Sequence, residues 1–131
     1  MPNARPVNPP TLYPGAPYSY AMVAPAGSVV YTAGACPIDA EGKVAGVGDL
    51  ERQARVALDN LERTLAEAGS GFERVVKTTV YVVARDRSEL IRVWAVVQDR
   101  FGAGRPPSTL LGVRLLGYAD QLVEIEAIAL V

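Results

Sequence analysis

Apolar residues recur every three to four positions from Asp49 to Ala68, where Leu50, Ala54, Ala57, Leu58, Leu61, Leu65 and Ala68 make one stripe. Glu51, Arg52, Arg55, Asp59, Glu62 and Arg63 take the other faces. The pattern predicts a helix opened by Asp49 as its N-cap and stopped by Gly69 in a left-handed conformation. A second helical period runs from about Ser88 to Phe101, with Leu90, Trp94, Val97 and Phe101 facing inward. Asp86 with Glu89 resembles a capping box, and Gly102 supplies the stop.

The remaining apolar runs are short and rich in β-branched residues. "VVKTTVYVV", residues 75–83, predicts a central strand. "YAMVAPAGSVVYTAG" predicts a hairpin, with strands over Tyr20–Val23 and Val29–Ala33 joined by a turn over Pro25–Ser28. A short edge strand is expected near Lys43–Ala45, a strand over Ser108–Val113 after "RPP", and a last one over Val123–Val131 after "LLGYADQ". Residues 1–17 are proline-rich and read as an irregular, extended lead-in. The order β-β-α-β-α-β-β predicts one α+β domain over residues 1–131, with two helices on one face of a mixed, mostly antiparallel sheet. Both "VVKTTVYVV" and "EIEAIALV" place apolar residues on alternate and intervening positions. The sheet face without helices should therefore need cover, which a symmetric oligomer supplies.

Composition narrows the chemistry. The 131 residues are half hydrophobic and 21% charged, with net charge −1. Such a chain is expected to bind neither nucleic acid nor a membrane, and its start lacks the profile of a signal peptide, so a cytoplasmic location is expected. A single cysteine excludes an internal disulfide, and there is no histidine. Histidine-based triads and most zinc sites fall away together, and no metal or other cofactor is expected. Carboxylates, hydroxyls, Arg, Lys and backbone amides remain.

Four segments together carry a family resemblance: "YTAGACPID", "GDLERQARVALDNLERTLAEAGSGFERVVKTTVYV", "RPPST" and "VEIEAIALV". Their order and spacing resemble those of the Rid family, the reactive intermediate deaminases or YjgF-type proteins, over roughly residues 18–131. The resemblance implies a chorismate-mutase-like α+β fold and a homotrimer with sheets packed into a central barrel. It also implies clefts between subunits that hydrolyse enamines and imines without a cofactor.

The resemblance also nominates residues. Glu124 matches the family glutamate that positions a water, a role suited to a carboxylate beside a bound imine. Glu126 lies on the same side of the strand, roughly 7 Å away by strand rise, and reads as structural. Tyr18 matches a tyrosine at the cleft rim, where its hydroxyl would reach a ligand; as a packing tyrosine it would serve equally well. Gly34 matches a glycine whose backbone approaches the ligand, and Ala33 stands where relatives usually carry a serine. Thr109 stands in place of a frequent cysteine and keeps a hydroxyl. Trp94 reads as a core anchor of the second helix that would also give a more apolar pocket. Pro107 falls where deaminating members carry the arginine that clamps the substrate carboxylate, with Arg105 two residues earlier and aimed elsewhere. Cys36 reads as a small buried hydrophobe and Arg114 as structural, while Tyr118 lies in a longer loop.

Three functions follow as expectations. The first is a divergent Rid-type hydrolase of a small, non-standard enamine or imine, with weak or no activity on 2-aminoacrylate. The second is a non-catalytic trimer whose clefts bind a small molecule or whose surface binds a partner. The third, ribonuclease activity, fits a chain of net charge −1 without histidine least well.

Overall fold

A computed structural model describes residues 4–131 of the chain. The secondary structure runs β1 (Arg5–Val7), β2 (Ala21–Val23), β3 (Val29–Tyr31), α1 (Leu50–Glu67), β4 (Val75–Val82), α2 (Arg87–Phe101), β5 (Ser108–Gly112) and β6 (Val123–Leu130). Four strands form the main sheet in the order β3-β6-β4-β5, antiparallel except for the parallel β4–β5 pair. Both helices pack on one face of it, giving the expected two-layer α+β arrangement.

Alternation along the two central strands decides what each layer receives. Val80 and Val82 of β4 and Val123, Ile125 and Ala129 of β6 are completely buried, and they meet the fully buried stripe Ala54, Ala57, Leu58, Leu61 and Leu65 of α1. The intervening residues, Lys77, Thr79 and Tyr81 of β4 and Glu124, Glu126 and Ile128 of β6, stand on the opposite face. That face is more polar than the sequence pattern predicts. The period of two places both glutamates, a lysine and a threonine there, with Ile128 as the one aliphatic among the six.

Helix α1 matches its expected bounds. Asp49 accepts a hydrogen bond from the Arg52 N–H at 3.0 Å, and Gly69 follows the helix at φ +81°. Within α1, Gln53 is also fully buried: its amide donates to the Gly46 and Asp120 carbonyls and accepts from the Leu122 N–H. In α2, Asp86 accepts from the Glu89 N–H at 3.2 Å, but Glu89 does not close a capping box on Asp86. Its carboxylate accepts from the Arg85 N–H and guanidinium instead, which keeps this buried acid paired. Val93 shares the inner face of α2 with Val97, while Leu90, Trp94 and Phe101 are partly buried against the core.

The expected hairpin does not form. Its strands exist, but β2 pairs antiparallel with β1, in the lead-in read as irregular, and β3 pairs with β6. Proline in β1 is tolerated because each strand of a two-stranded sheet has an unpaired edge. Near Lys43–Ala45 the chain makes only an isolated bridge, Ile38 to Val44, around a turn in which the Asp39 carboxylate accepts from the Glu41 and Lys43 N–H groups. Among the described residues no helix is long and apolar enough to cross a membrane.

This core predicts a large asymmetry between inward and outward substitutions. Leu61→Ala, at a completely buried position, is expected to lower unfolding free energy by about 2–5 kcal/mol in urea titrations. Ile91→Ala, at a residue 65% exposed on α2, is expected to change it by less than about 0.5 kcal/mol.

Candidate functional site

The candidate site begins with one carboxylate on the helix-free face of the sheet. Glu124 is the second residue of β6 and sits opposite Tyr81 of β4. Its neighbours Val123 and Ile125 point into the core, so Glu124 must point out of it. Beyond β3 the chain returns along β6, where Ala35 and Ile125 exchange N–H···O=C bonds of 2.7 and 3.1 Å. This bridge lays the Gly34 backbone against the Glu124 side chain. A Cβ at position 34 would collide with the Glu124 side chain, from Cγ to Oε2, in the orientation it holds here, and glycine avoids that collision.

Two donors converge on the other carboxylate oxygen. The Cys36 thiol and the Gln121 side-chain amide each donate to Glu124 Oε1 at 3.2 Å. Burial, reinforced by the hydrogen bond to Glu124 and by its charge, pushes the Cys36 thiol up from 9.0 to about 11. Cys36 is half-buried and polar in its contacts rather than the buried hydrophobe its sequence position suggested. Gln121, 3% exposed, was not singled out in the sequence: it lies in a loop without periodicity, three residues before Glu124.

The second glutamate has a separate partner. The Tyr81 hydroxyl donates to Glu126 Oε1 at 2.5 Å, and this bond, with burial and the glutamate's charge, raises the tyrosine above its usual range. Glu126 also borders a hollow of about 300 Å³ with Tyr31, Thr32, Lys77, Thr79 and Ile128. Thr109 projects from β5 on the same sheet face, beside Thr79, and its hydroxyl accepts from Lys77 Nζ at 2.7 Å. Thr109 lies in line with Thr79 and Glu126, so two strand spacings and two residues along β6 separate it from Glu124.

The other nominated residues lie elsewhere in the chain. Trp94 of α2 borders a small apolar hollow with Pro17, Val97, Phe101 and Pro106, in the helical layer on the far side of the sheet from Glu124. Pro107 is buried, and its carbonyl accepts from the Thr78 N–H at 2.9 Å. Tyr18 packs edge-on against Tyr20 in a groove of about 240 Å³ that includes Asn8, Tyr13 and Arg105. Arg105 adopts a left-handed conformation at φ 37°, and its carbonyl accepts from the Ser19 N–H. Ala33, Arg114 and Tyr118 are exposed, and the Tyr118 N–H donates to Gln121 Oε1. One chain thus brings together Glu124 and Gly34, adds Cys36 and Gln121, and leaves Tyr18, Trp94, Thr109 and Pro107 apart from them. Among the described residues no three His, Cys, Asp or Glu side chains cluster to hold a metal.

The same order of elements recurs in known proteins. Residues 10–131 match the family model described as Endoribonuclease L-PSP. A RutC family protein of Pyrococcus abyssi is 34% identical over 116 residues, covering 88% of this chain and 87% of that protein. The 3-aminoacrylate deaminase RutC of Acinetobacter baylyi is 30% identical over 121 residues, covering 92% and 90%. The crystal structure of YyfB, a Rid family protein of Yersinia pestis, superposes with a TM-score of 0.91 at 32% identity, covering 98% of this chain and 99% of that one. With the matching region spanning nearly the whole sequence and both helices and the sheet in common, the chain belongs to the Rid/YjgF family.

Proposed function

We propose that this protein is a cofactor-independent hydrolase of a small enamine or imine, acting as a homotrimer with its sites in clefts between subunits. The observation that carries the reading is the Glu124 carboxylate, with Oε1 held by Cys36 and Gln121 and Oε2 turned toward the open backbone of Gly34. An imine carbon placed beside that backbone would be attacked by a water whose proton passes to Glu124. As the C=N electron pair moves to nitrogen, that proton is passed on to it, giving the carbinolamine. The carbinolamine's hydroxyl proton then moves through Glu124 to the same nitrogen, the C–N bond breaks with its electrons on nitrogen, and ammonia leaves with a carbonyl product. An enamine enters the same route after protonation at carbon. No redox step occurs, so the sum is substrate plus water giving carbonyl compound plus ammonia. The relative named as a 3-aminoacrylate deaminase supports this reaction class.

The trimer is part of the proposal for a geometric reason. The groove beside Tyr18 does not include Glu124, and Thr109 stands two strands from it. A site using all three needs surfaces from two copies. Static light scattering at micromolar concentration is expected to give three times the 13.9 kDa chain mass; a stable monomer would overturn both the trimer and the shared cleft.

Pro107 favours a second reading, a trimer that binds a small molecule without turning it over. A buried proline stands where the resemblance places the carboxylate-clamping arginine. RNA cleavage is least supported, because net charge −1 offers little to a phosphate backbone.

The enzyme and binding readings separate in one assay. With 2-aminoacrylate generated in situ, ammonia release is expected to run at least about tenfold slower than in an arginine-containing relative, from the loss of a charged, bidentate hydrogen bond. With a neutral imine, turnover is expected in the wild type and none in Glu124→Gln, whose amide keeps the shape but cannot take the proton. Full turnover by that variant would remove the hydrolytic reading.

A further inference from the structure

We propose that Gln121 is a positioning residue for Glu124, locking its carboxylate so that Oε2 alone faces the reacting molecule. The proposal rests on the hydrolytic reading of Glu124 and extends it to a side chain outside the cleft.

Both ends of the Gln121 amide are committed. Its Oε1 accepts from the Tyr118 N–H at 3.1 Å. Its Nε2 donates to the Val123 carbonyl at 3.1 Å and to Glu124 Oε1 at 3.2 Å. Turning the amide over would set an N–H₂ against an N–H and an oxygen against two oxygens, so one orientation is enforced. The side chain is 3% exposed, which keeps water from replacing these bonds. A leucine there would leave the Tyr118 N–H without its acceptor, and a glutamate would set two carboxylates against each other.

The consequence falls on the carboxylate. Oε1 already receives the Gln121 amide and the Cys36 thiol, whereas Oε2 lies at Gly34, where a side chain is sterically excluded. Rotation about the terminal bond of a glutamate is soft, and an unrestrained carboxylate would sample many orientations. Holding it in one keeps the base aligned with the water it must deprotonate, which is the geometric part of catalysis. Gln121 also ties this orientation to the loop before β6, through Tyr118, so the loop and the carboxylate are fixed together.

Cys36 supplies a readout that needs no substrate. Only the thiolate is alkylated, so the pH dependence of alkylation by iodoacetamide reports the thiol's titration. In the wild type its midpoint is expected near 11. Glu124→Gln removes the charge and replaces the carboxylate acceptor by a weaker amide oxygen, so the midpoint falls and alkylation at a given lower pH speeds up; an unchanged midpoint would mean that Cys36 does not touch Glu124 and would overturn the geometry. The test itself is Gln121→Leu, with Gln121→Met as the variant closer in shape, each checked for a native circular dichroism spectrum. Two effects oppose each other. The Gln121 amide itself lowers the thiol, so its loss with Glu124 still in place would raise the midpoint further. Release of the carboxylate would lower it. The rise from losing the amide alone is read by adding the same Gln121 substitution to Glu124→Gln. With Glu124 in place, a smaller rise or a fall in a folded variant supports positioning, and an equal or larger rise overturns it. With a turned-over imine, Gln121→Met is expected to reduce kcat about tenfold with little change in KM, as for an interaction expressed in the transition state. Unchanged kcat would overturn the catalytic consequence, while Glu124→Gln turnover tests the hydrolytic reading separately.

Discussion

Strict alternation along β6 is the constraint on which the rest of the structure depends. Val123, Ile125, Ala127 and Ala129 close the core against α1, and that commits Glu124, Glu126 and Ile128 to the opposite face. A shift of one residue would bury both carboxylates and expose the valine and isoleucine, so the hydrophobic core itself fixes the direction of the candidate base. The Ala35–Ile125 bridge then brings a glycine to the correct carboxylate rather than to the one two residues on.

The two glutamates show how neighbours of the same chemistry acquire different surroundings. Glu126 meets the Tyr81 hydroxyl across the β4–β6 ladder, while Glu124 meets a thiol and an amide that come from outside the ladder. The first contact is local to the sheet and ties two strands. The second joins residues 36, 121 and 124, so it depends on the return of the chain after β3 and on the loop before β6. In the proposed function, that arrangement puts both donors on one oxygen of Glu124 and leaves the other for a ligand.

Much of the architecture was legible because long periodic segments state their own structure. Helix α1 appears within a residue of its expected bounds, with the expected cap and stop, because seven apolar positions agree on one face. Strands β4 and β6 were equally plain. Pairing was less so: the three residues of β1 contain no alternation, and nothing local to "AMV" distinguishes a partner at residues 5–7 from one at 29–31. The polar face was misjudged because valine-rich runs conceal which parity carries the few charges. At the site, Glu124 and Gly34 came from the family pattern. Cys36 and Gln121 did not, since their roles arise from contacts to a residue whose position only the folded chain supplies.

The place of β6 in the sheet bears on how the chain acquires its fold. Of the four strands it is the last to be synthesised, yet it lies between β3 and β4. Before residues 123–130 emerge, β3 has no partner in the sheet and α1 lacks the strand whose apolar side chains it packs against. The β3–β6 pairing joins residues about a hundred apart, and contacts of such separation form slowly because a long loop must close first. A nascent chain therefore holds β4, β5 and the apolar stripe of α1 open to chaperones and to other chains until synthesis has passed the last strand.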